Sequence, residues 1–197
     1  MYKFKKFQKK TSLIWGLTGN ISSGKSTVLK KLRMRGFYTI NADEIVRRSY
    51  LEDHEFIEEI MGTFHTIETS QVLKQILKDE KLWQKLDNIT KQFIVPKIFD
   101  EVLCRYGEFR FIIVEIPLLF EFFLQEYFDF LVLISADSAI AKKRSTKNSL
   151  VYQKFKDRQM CDDKKMENSD FIIKNNTSNH VLNEKITYLE KTIKTYV

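Results

Sequence analysis

The sequence has 197 residues and a formal net charge of +7, with 43% hydrophobic and 30% charged residues. These values are typical of a soluble globular protein with one domain, or with one domain and a small insertion. The longest apolar stretch is interrupted by charges, so the sequence predicts no membrane-spanning helix. The positive charge favours acidic partners such as nucleotides, coenzymes or nucleic acid, although many lysines fall on predicted solvated helix faces.

The chain begins with a basic segment, MYKFKKFQKK, that has no apolar stretch behind it. This pattern differs from that of a signal peptide, and we expect a basic tail over residues 1–11. Cys104 and Cys161 are far apart and match no metal-ligand spacing. We therefore expect free thiols in a reducing compartment and a cytoplasmic protein.

The first elements of the chain predict a strand, a glycine-containing loop, a helix and a second strand. Residues 12–17, SLIWGL, form a short apolar run typical of a buried strand. Residues 25–35 have apolar positions at helical spacing and end at Gly36, and residues 37–40, FYTI, are rich in strand formers. This order is that of a βαβ module in a parallel sheet.

Residues 43–105 carry no strand pattern and predict three or four helices. We expect breaks near Gly62 and before Pro96, because glycine and proline weaken helices. A helical block inserted between strands is a candidate subdomain that covers a substrate.

The strand pattern returns in the second half of the chain, within two nearly continuous apolar runs. The predicted elements are strands at 111–116 and 128–135, a helix over ADSAIAKKRS, a polar and mobile segment at 145–158, a strand at 170–174 and a terminal helix.

The loop between the first strand and the first helix matches G-x-x-x-x-G-K-[ST] at every required position, from Gly19 to Ser26. Glycines let the backbone approach a phosphate closely, and the helix N-terminus adds unpaired N–H groups. Lys25 then reaches the β- and γ-phosphates, and the Ser26 hydroxyl binds Mg²⁺. The loop therefore predicts a nucleoside-triphosphate site.

Several residues outside the loop are candidate partners for this chemistry, each with an alternative. Asp43 follows the second strand, where it either accepts the proton of an attacking hydroxyl, holds Mg²⁺ through water or caps a helix. Arg47 either meets a substrate anion or is solvated. Glu115 either holds the water shell of the metal or is a strand-end charge that reaches solvent. A phosphate-clamping arginine comes from Arg144 or from Arg158.

Four segments, in this order and spacing, resemble the dephospho-CoA kinase family: GLTGNISSGKST, NADEIVR, EIPLLFE and RQMCDDKKMENSDFIIKNN. That family uses ATP and Mg²⁺ to phosphorylate the ribose 3′-hydroxyl of dephospho-CoA. The resemblance implies an α/β fold, a P-loop NTPase-type three-layer sandwich with a parallel sheet. It also implies a single kinase domain over residues 12–197, with a helical coenzyme A subdomain at about 50–106 and a lid at about 145–165.

The resemblance also implies roles for individual residues. Asp43, Lys25 and Arg144 are the expected catalytic residues, and Asp43, Arg47, Pro117 and Leu118 the expected acceptor contacts. Ser26 and Glu115 are the expected metal ligands. The expected ATP contacts are Gly19, Asn20, Ile21, Ser22, Ser23, Gly24, Lys25, Ser26, Thr27 and Asn175. Gln159, Lys165 and Asp170 match the family's C-terminal pattern without an assigned role.

The sequence departs from the family pattern at a few positions. Asn20 and Ser22 stand where the family loop usually has glycine, and Asn41 stands where its first aspartate would be. The helical block is the weaker match, which leaves two alternatives: a kinase for another small alcohol such as a nucleoside or nucleotide, or a non-catalytic nucleotide-binding protein. We expect a monomer or weak homo-oligomer that acts on ATP and dephospho-CoA, without nucleic acid or membrane partners.

Overall fold

The computed structural model describes residues 11–196. The predicted basic tail therefore lies, except for Thr11, outside the described residues and stays a prediction. The described chain forms two compact units. One is an α/β unit made of residues 11–40 and 105–196, and the other is a helical unit, Asn41–Cys104.

The α/β unit contains the five predicted strands and the helices that flank them. Its elements are β1 (Leu13–Thr18), α1 (Lys25–Arg33), β2 (Tyr38–Asn41), β3 (Phe111–Glu115), a 3₁₀ turn (Gln125–Tyr127), β4 (Phe130–Ser135), α6 (Ser138–Arg144), α7 (Ser149–Arg158), α8 (Asp162–Glu167), β5 (Phe171–Lys174) and α9 (Asn179–Lys194).

The strands form one parallel sheet in the order β2-β3-β1-β4-β5. In the register, Leu17 pairs with Glu115 and Thr18 with Leu133, so the strand ends lie side by side. The loops that follow these strands therefore share one edge of the sheet, where open α/β sheets bind ligands.

The core of the α/β unit lies between the sheet and two helices. All six residues of β1 are buried, as a strand covered on both faces requires. The amphipathic helices α1 and α9 bury residues at helical spacing, among them Leu32 and Ile186, both fully buried. This packing fixes α1, and with it the loop that precedes α1.

The helical unit contains four helices, within the range the sequence predicts. They are α2 (Ala42–Glu52), α3 (His54–Phe64), α4 (Thr69–Ile76) and α5 (Glu80–Arg105). Asp53 links two of them, because it caps α3 through Phe56 N and forms an ion pair with Lys97 of α5. Burial raises the pKa of the Asp53 carboxyl, but hydrogen bonds from Lys97 and Phe56 outweigh it, so the pKa lies below its usual range.

The predicted helix break before Pro96 is wrong, whereas α3 does end near Gly62, as predicted. Helix α3 ends at Phe64, and α5 runs through Pro96. An internal proline costs a helix about 3 kcal/mol. Burying one large apolar side chain gives back about 1.5–3 kcal/mol, and α5 buries Ile94 and Ile98 beside the proline.

Residues 145–158, which the sequence predicts to be polar and mobile, contain the helix α7. Asn148 caps this helix by accepting a hydrogen bond from Val151 N, and Tyr152 is buried. The sequence carried a usable pattern, an asparagine cap followed by apolar residues three and four apart. Within residues 11–196, the structure contains no helix that combines the length and apolar character needed to cross a bilayer.

Candidate active site

The glycine loop follows β1 and leads directly into α1. Gly24 occupies the position before the helix with a φ of 97°, and Ser22 has a φ of 58°. Both values lie in the left-handed region that side chains disfavour. The loop therefore turns sharply toward the N-terminus of α1, where backbone N–H groups and the positive end of the helix dipole favour an anion.

Two glycines are required in the loop because neighbouring atoms leave no room for a Cβ. A Cβ on Gly19 would lie 2.1 Å from the carbonyl oxygen of Ile134, and one on Gly24 would lie 2.3 Å from Asn175 Nδ2. The loop is thus pressed against the ends of β4 and β5. This close-packed turn of backbone fits the phosphate cradle that the sequence predicts.

Asn175 joins the glycine loop to the end of β5. Its Nδ2 donates to the carbonyl oxygen of Ser23 at 2.8 Å in a buried hydrogen bond. Arg144, the last residue of α6, donates from Nη1 to the carbonyl oxygen of Asn175 at 2.7 Å. The structure thus brings two predicted site residues together with the loop, although they lie far from it in sequence. Arg158, the alternative arginine, lies in the last turn of α7.

Lys25 folds back over the loop that precedes it. Its ammonium donates to the carbonyl oxygens of Gly19 at 2.8 Å and Asn20 at 3.1 Å. The residue is 9% exposed, so this charge is held inside the loop rather than in solvent. A cation in this place complements the charge of a polyphosphate.

Two oxygen-bearing residues fit a Mg²⁺ ion. The Ser26 side chain is exposed in the first turn of α1, and Glu115 ends the neighbouring β3 with its side chain buried. Mg²⁺ takes hard oxygen ligands and keeps several waters, so a hydroxyl and a carboxylate at this edge suit it. Burial of Glu115 excludes the interpretation of a strand-end charge that reaches solvent.

The residues after β3 pack beside the loop. Thr18, the last residue of β1, donates from its hydroxyl to the carbonyl oxygen of Pro117 at 3.3 Å. Pro117 and Leu118 are half-buried, whereas Leu119 is completely buried. Buried Leu119 fixes the turn, which leaves the two preceding side chains partly accessible.

In the helical unit, α2 begins immediately after β2 and carries two predicted site residues. Asn41 caps the helix by accepting a hydrogen bond from Glu44 N at 3.1 Å, so the alternative that Asp43 is the cap is wrong. Asp43 and Arg47 are exposed, and within residues 11–196 neither side chain has a recorded hydrogen-bond or ion-pair partner. They stand four residues apart, hence on one face of α2.

The contacts between the loop and the residues from the end of α7 to the start of α8 were not predicted from the sequence. Ile21 N donates to Gln159 Oε1 at 2.8 Å, and Asn20 Nδ2 donates to Asp162 Oδ1 at 2.7 Å. Burial raises the pKa of the Asp162 carboxyl above its usual range, although Lys165 and Lys156 act to lower it. The resemblance marked Gln159 but gave it no role, and no pattern in the sequence marked Asp162.

The chain matches a known protein family over most of its length. A sequence model described as dephospho-CoA kinase matches residues 13–180. The chain belongs to the dephospho-CoA kinase family. A dephospho-CoA kinase of Aquifex aeolicus is 30% identical over 174 residues, which cover 83% of this chain and 88% of that protein.

Solved structures agree with this membership. The dephospho-CoA kinase from Campylobacter jejuni is 25% identical, with a TM-score of 0.65, over 93% of this chain and 98% of that one. A Thermus thermophilus protein has a TM-score of 0.76 at 22% identity, over 94% and 98% of the two chains. The second likeness shows the fold alone. The predicted P-loop kinase fold with a parallel sheet is confirmed.

Proposed function

We propose that the chain is an ATP-dependent kinase that phosphorylates the ribose 3′-hydroxyl of dephospho-CoA to give coenzyme A. The observation that carries the proposal is the membership in the dephospho-CoA kinase family over residues 13–180, a range that includes the phosphate cradle. This range contains a loop with two positions that only glycine fits, a buried lysine that folds back over the loop, and an exposed aspartate after β2.

In the proposed reaction, the 3′-oxygen attacks the γ-phosphorus of ATP in line with the leaving oxygen. The O–H bond of the ribose and the bond between the γ-phosphorus and the bridging oxygen break, and ADP leaves with the electron pair. Asp43 accepts the proton, which its exposed carboxylate is able to do. A new bond joins the phosphorus to the 3′-oxygen.

The developing charge is stabilised by groups that are already placed. Lys25 lies within the loop, and Arg144 is joined to it through Asn175. Preorganised donors of this kind lower the barrier without having to reorient during the reaction. Ser26 and Glu115 would hold Mg²⁺, which supplies charge neutralisation of the phosphates when bound.

We assign the remaining loop residues, 19–24, to ATP, together with the hydroxyl of Thr27. Asn175 would contact the nucleotide from the end of β5. On the acceptor side, Arg47 would meet a phosphate or pyrophosphate of the coenzyme, since it is exposed and shares a face of α2 with Asp43. Pro117 and Leu118 would give apolar contact.

We also propose a cytoplasmic protein that acts as a monomer or weak homo-oligomer on small molecules rather than on nucleic acid. Cys104 and Cys161 are both free and exposed, which suits a reducing compartment.

A coupled assay of ADP release with a panel of acceptors tests the proposal. Dephospho-CoA is expected to support turnover, whereas coenzyme A, which already carries the 3′-phosphate, is not. Adenosine shares the reacting ribose but lacks the pantetheine arm, so it should react with a much higher KM. Turnover with adenosine or another alcohol at equal or greater kcat/KM would instead support a different acceptor.

A further inference from the structure

A partly buried carboxylate outside the glycine loop is connected to it through two short links. Glu121 follows β3 in the segment Pro117–Leu118–Leu119–Phe120–Glu121. We propose that Glu121 is a positioning residue for the nucleotide: it fixes the segment 159–162, which in turn holds the outer side of the loop. This inference rests on the proposed binding of ATP to the loop.

The first link joins Glu121 to the segment between α7 and α8. Glu121 Oε1 accepts a hydrogen bond from Met160 N at 2.8 Å. The same oxygen lies 2.9 Å from the ammonium of Lys165, a residue of α8 that is fully buried. One oxygen atom thus contacts Met160, which follows Gln159 directly, and Lys165, which lies three residues after Asp162.

The ion pair is costly to bury, so its presence needs a reason besides stability. Glu121 Oε2 is buried and has no hydrogen-bond partner among the residues that the structure describes. Taking a carboxylate and an ammonium out of water costs several kcal/mol for each, and apolar replacements of a buried pair are often as stable. What an apolar pair lacks is the acceptor for Met160 N.

The second link joins the segment to the loop. Gln159 lies beside Met160 in sequence and accepts from Ile21 N at 2.8 Å, while Asp162 accepts from the side chain of Asn20 at 2.7 Å. The carbonyl oxygen of Asn20 meanwhile accepts from Lys25. Both the side chain and the backbone carbonyl of Asn20 are therefore hydrogen-bonded before any nucleotide binds.

A loop that is already ordered binds its ligand without a further loss of conformational entropy. Glu121 should therefore strengthen the binding of nucleotide and leave the transfer step nearly unchanged. A purely structural role predicts a lower melting temperature without a selective change in nucleotide affinity.

Two double variants without the buried charges separate these roles. Glu121→Gln with Lys165→Met keeps an acceptor for Met160 N, whereas Glu121→Leu with Lys165→Met removes it. We expect the dissociation constant for ADP, measured by calorimetry, to stay within about two-fold of wild type in the first and to rise about ten-fold in the second, the effect of one lost hydrogen bond. The KM for ATP should follow, with kcat within about two-fold.

Lys164→Met is the matched control, because Lys164 is the exposed neighbour of Lys165 on α8, and it should bind ADP like wild type. If neither double variant folds, Gln159→Ala decides, since it cuts the link to Ile21 alone and should weaken ADP about ten-fold. Equal ADP affinity in the two double variants, or wild-type affinity in Gln159→Ala, would overturn the inference. Absence of turnover with dephospho-CoA while ADP still binds would count against the proposed acceptor, not against Glu121.

Discussion

Two glycines with similar backbone angles provide a direct test of how the phosphate loop is built. Gly24 has a φ of 97° and Gly36 a φ of 88°, so alanine at either position is strained by about 1–2 kcal/mol. At Gly36, no neighbouring atom within residues 11–196 lies within 4 Å of the added Cβ. At Gly24, the Cβ would lie 2.3 Å from Asn175 Nδ2, so this side chain has to move.

The movement of Asn175 sets the size of the difference. Its hydrogen bond to the carbonyl oxygen of Ser23 is buried, and leaving such a group unsatisfied costs about 1–3 kcal/mol. We therefore expect Gly36→Ala to lower the free energy of unfolding by about 1–2 kcal/mol and Gly24→Ala by about 2–5 kcal/mol. Urea unfolding followed by tryptophan fluorescence measures both values.

A second substitution separates the collision from the strain. In Gly24→Ala combined with Asn175→Ala the clash is absent, so the double variant should be more stable than the sum of the single effects by about 1–3 kcal/mol. Equal losses in Gly24→Ala and Gly36→Ala, within about 0.5 kcal/mol, would refute the reasoning. Strict additivity in the double variant would refute it as well.

Three further substitutions test other parts of the account. Asp162→Asn should melt at a higher temperature than wild type at neutral pH, and this difference in melting temperature should disappear in acid. The reason is that the pKa of Asp162 is raised in the folded state, so the wild-type protein loses stability as the pH rises through that pKa. Asp53→Asn should behave oppositely, melting lower at neutral pH, because a lowered pKa gives stability that is lost only as the pH falls through it. A pH series of melting curves checks both predictions. A difference in melting temperature between variant and wild type that does not change with pH would contradict the prediction for that variant. Pro96→Ala should raise the free energy of unfolding by about 1–3 kcal/mol, because α5 continues through this position. A lower free energy of unfolding in Pro96→Ala would contradict the explanation that apolar burial in α5 offsets the cost of the proline.

The parts of the molecule that the sequence predicted well are local. The glycine loop depends on eight adjacent residues, and the flanking strand and helix have their own apolar patterns. Strands β1, β3 and β4 were predictable because each is a nearly continuous apolar run. The assignment of Gly24 and Lys25 to phosphate binding also depends on adjacent residues only, and it stays a prediction.

The parts that the sequence did not predict depend on contacts between distant residues. Gln159 and Asp162 meet the loop across about 140 positions of the chain, and no local pattern records such a contact. The helix through Pro96 exists because tertiary burial outweighs an unfavourable local preference, which periodicity does not measure. The interpretation of Asp43 as a helix cap was excluded only by the contact that makes Asn41 the cap.

The proposed reaction depends on Asp43, which has to deprotonate the acceptor while the glycine loop holds the nucleotide. The most direct test is the turnover of Asp43→Asn with ATP and dephospho-CoA, beside ADP affinity by calorimetry, with Glu44→Gln as the exposed neighbour in the same helical turn. We predict that Asp43→Asn lowers kcat by about 10²–10⁴-fold and leaves ADP affinity unchanged, while Glu44→Gln resembles wild type. Undiminished turnover in Asp43→Asn would contradict the central claim.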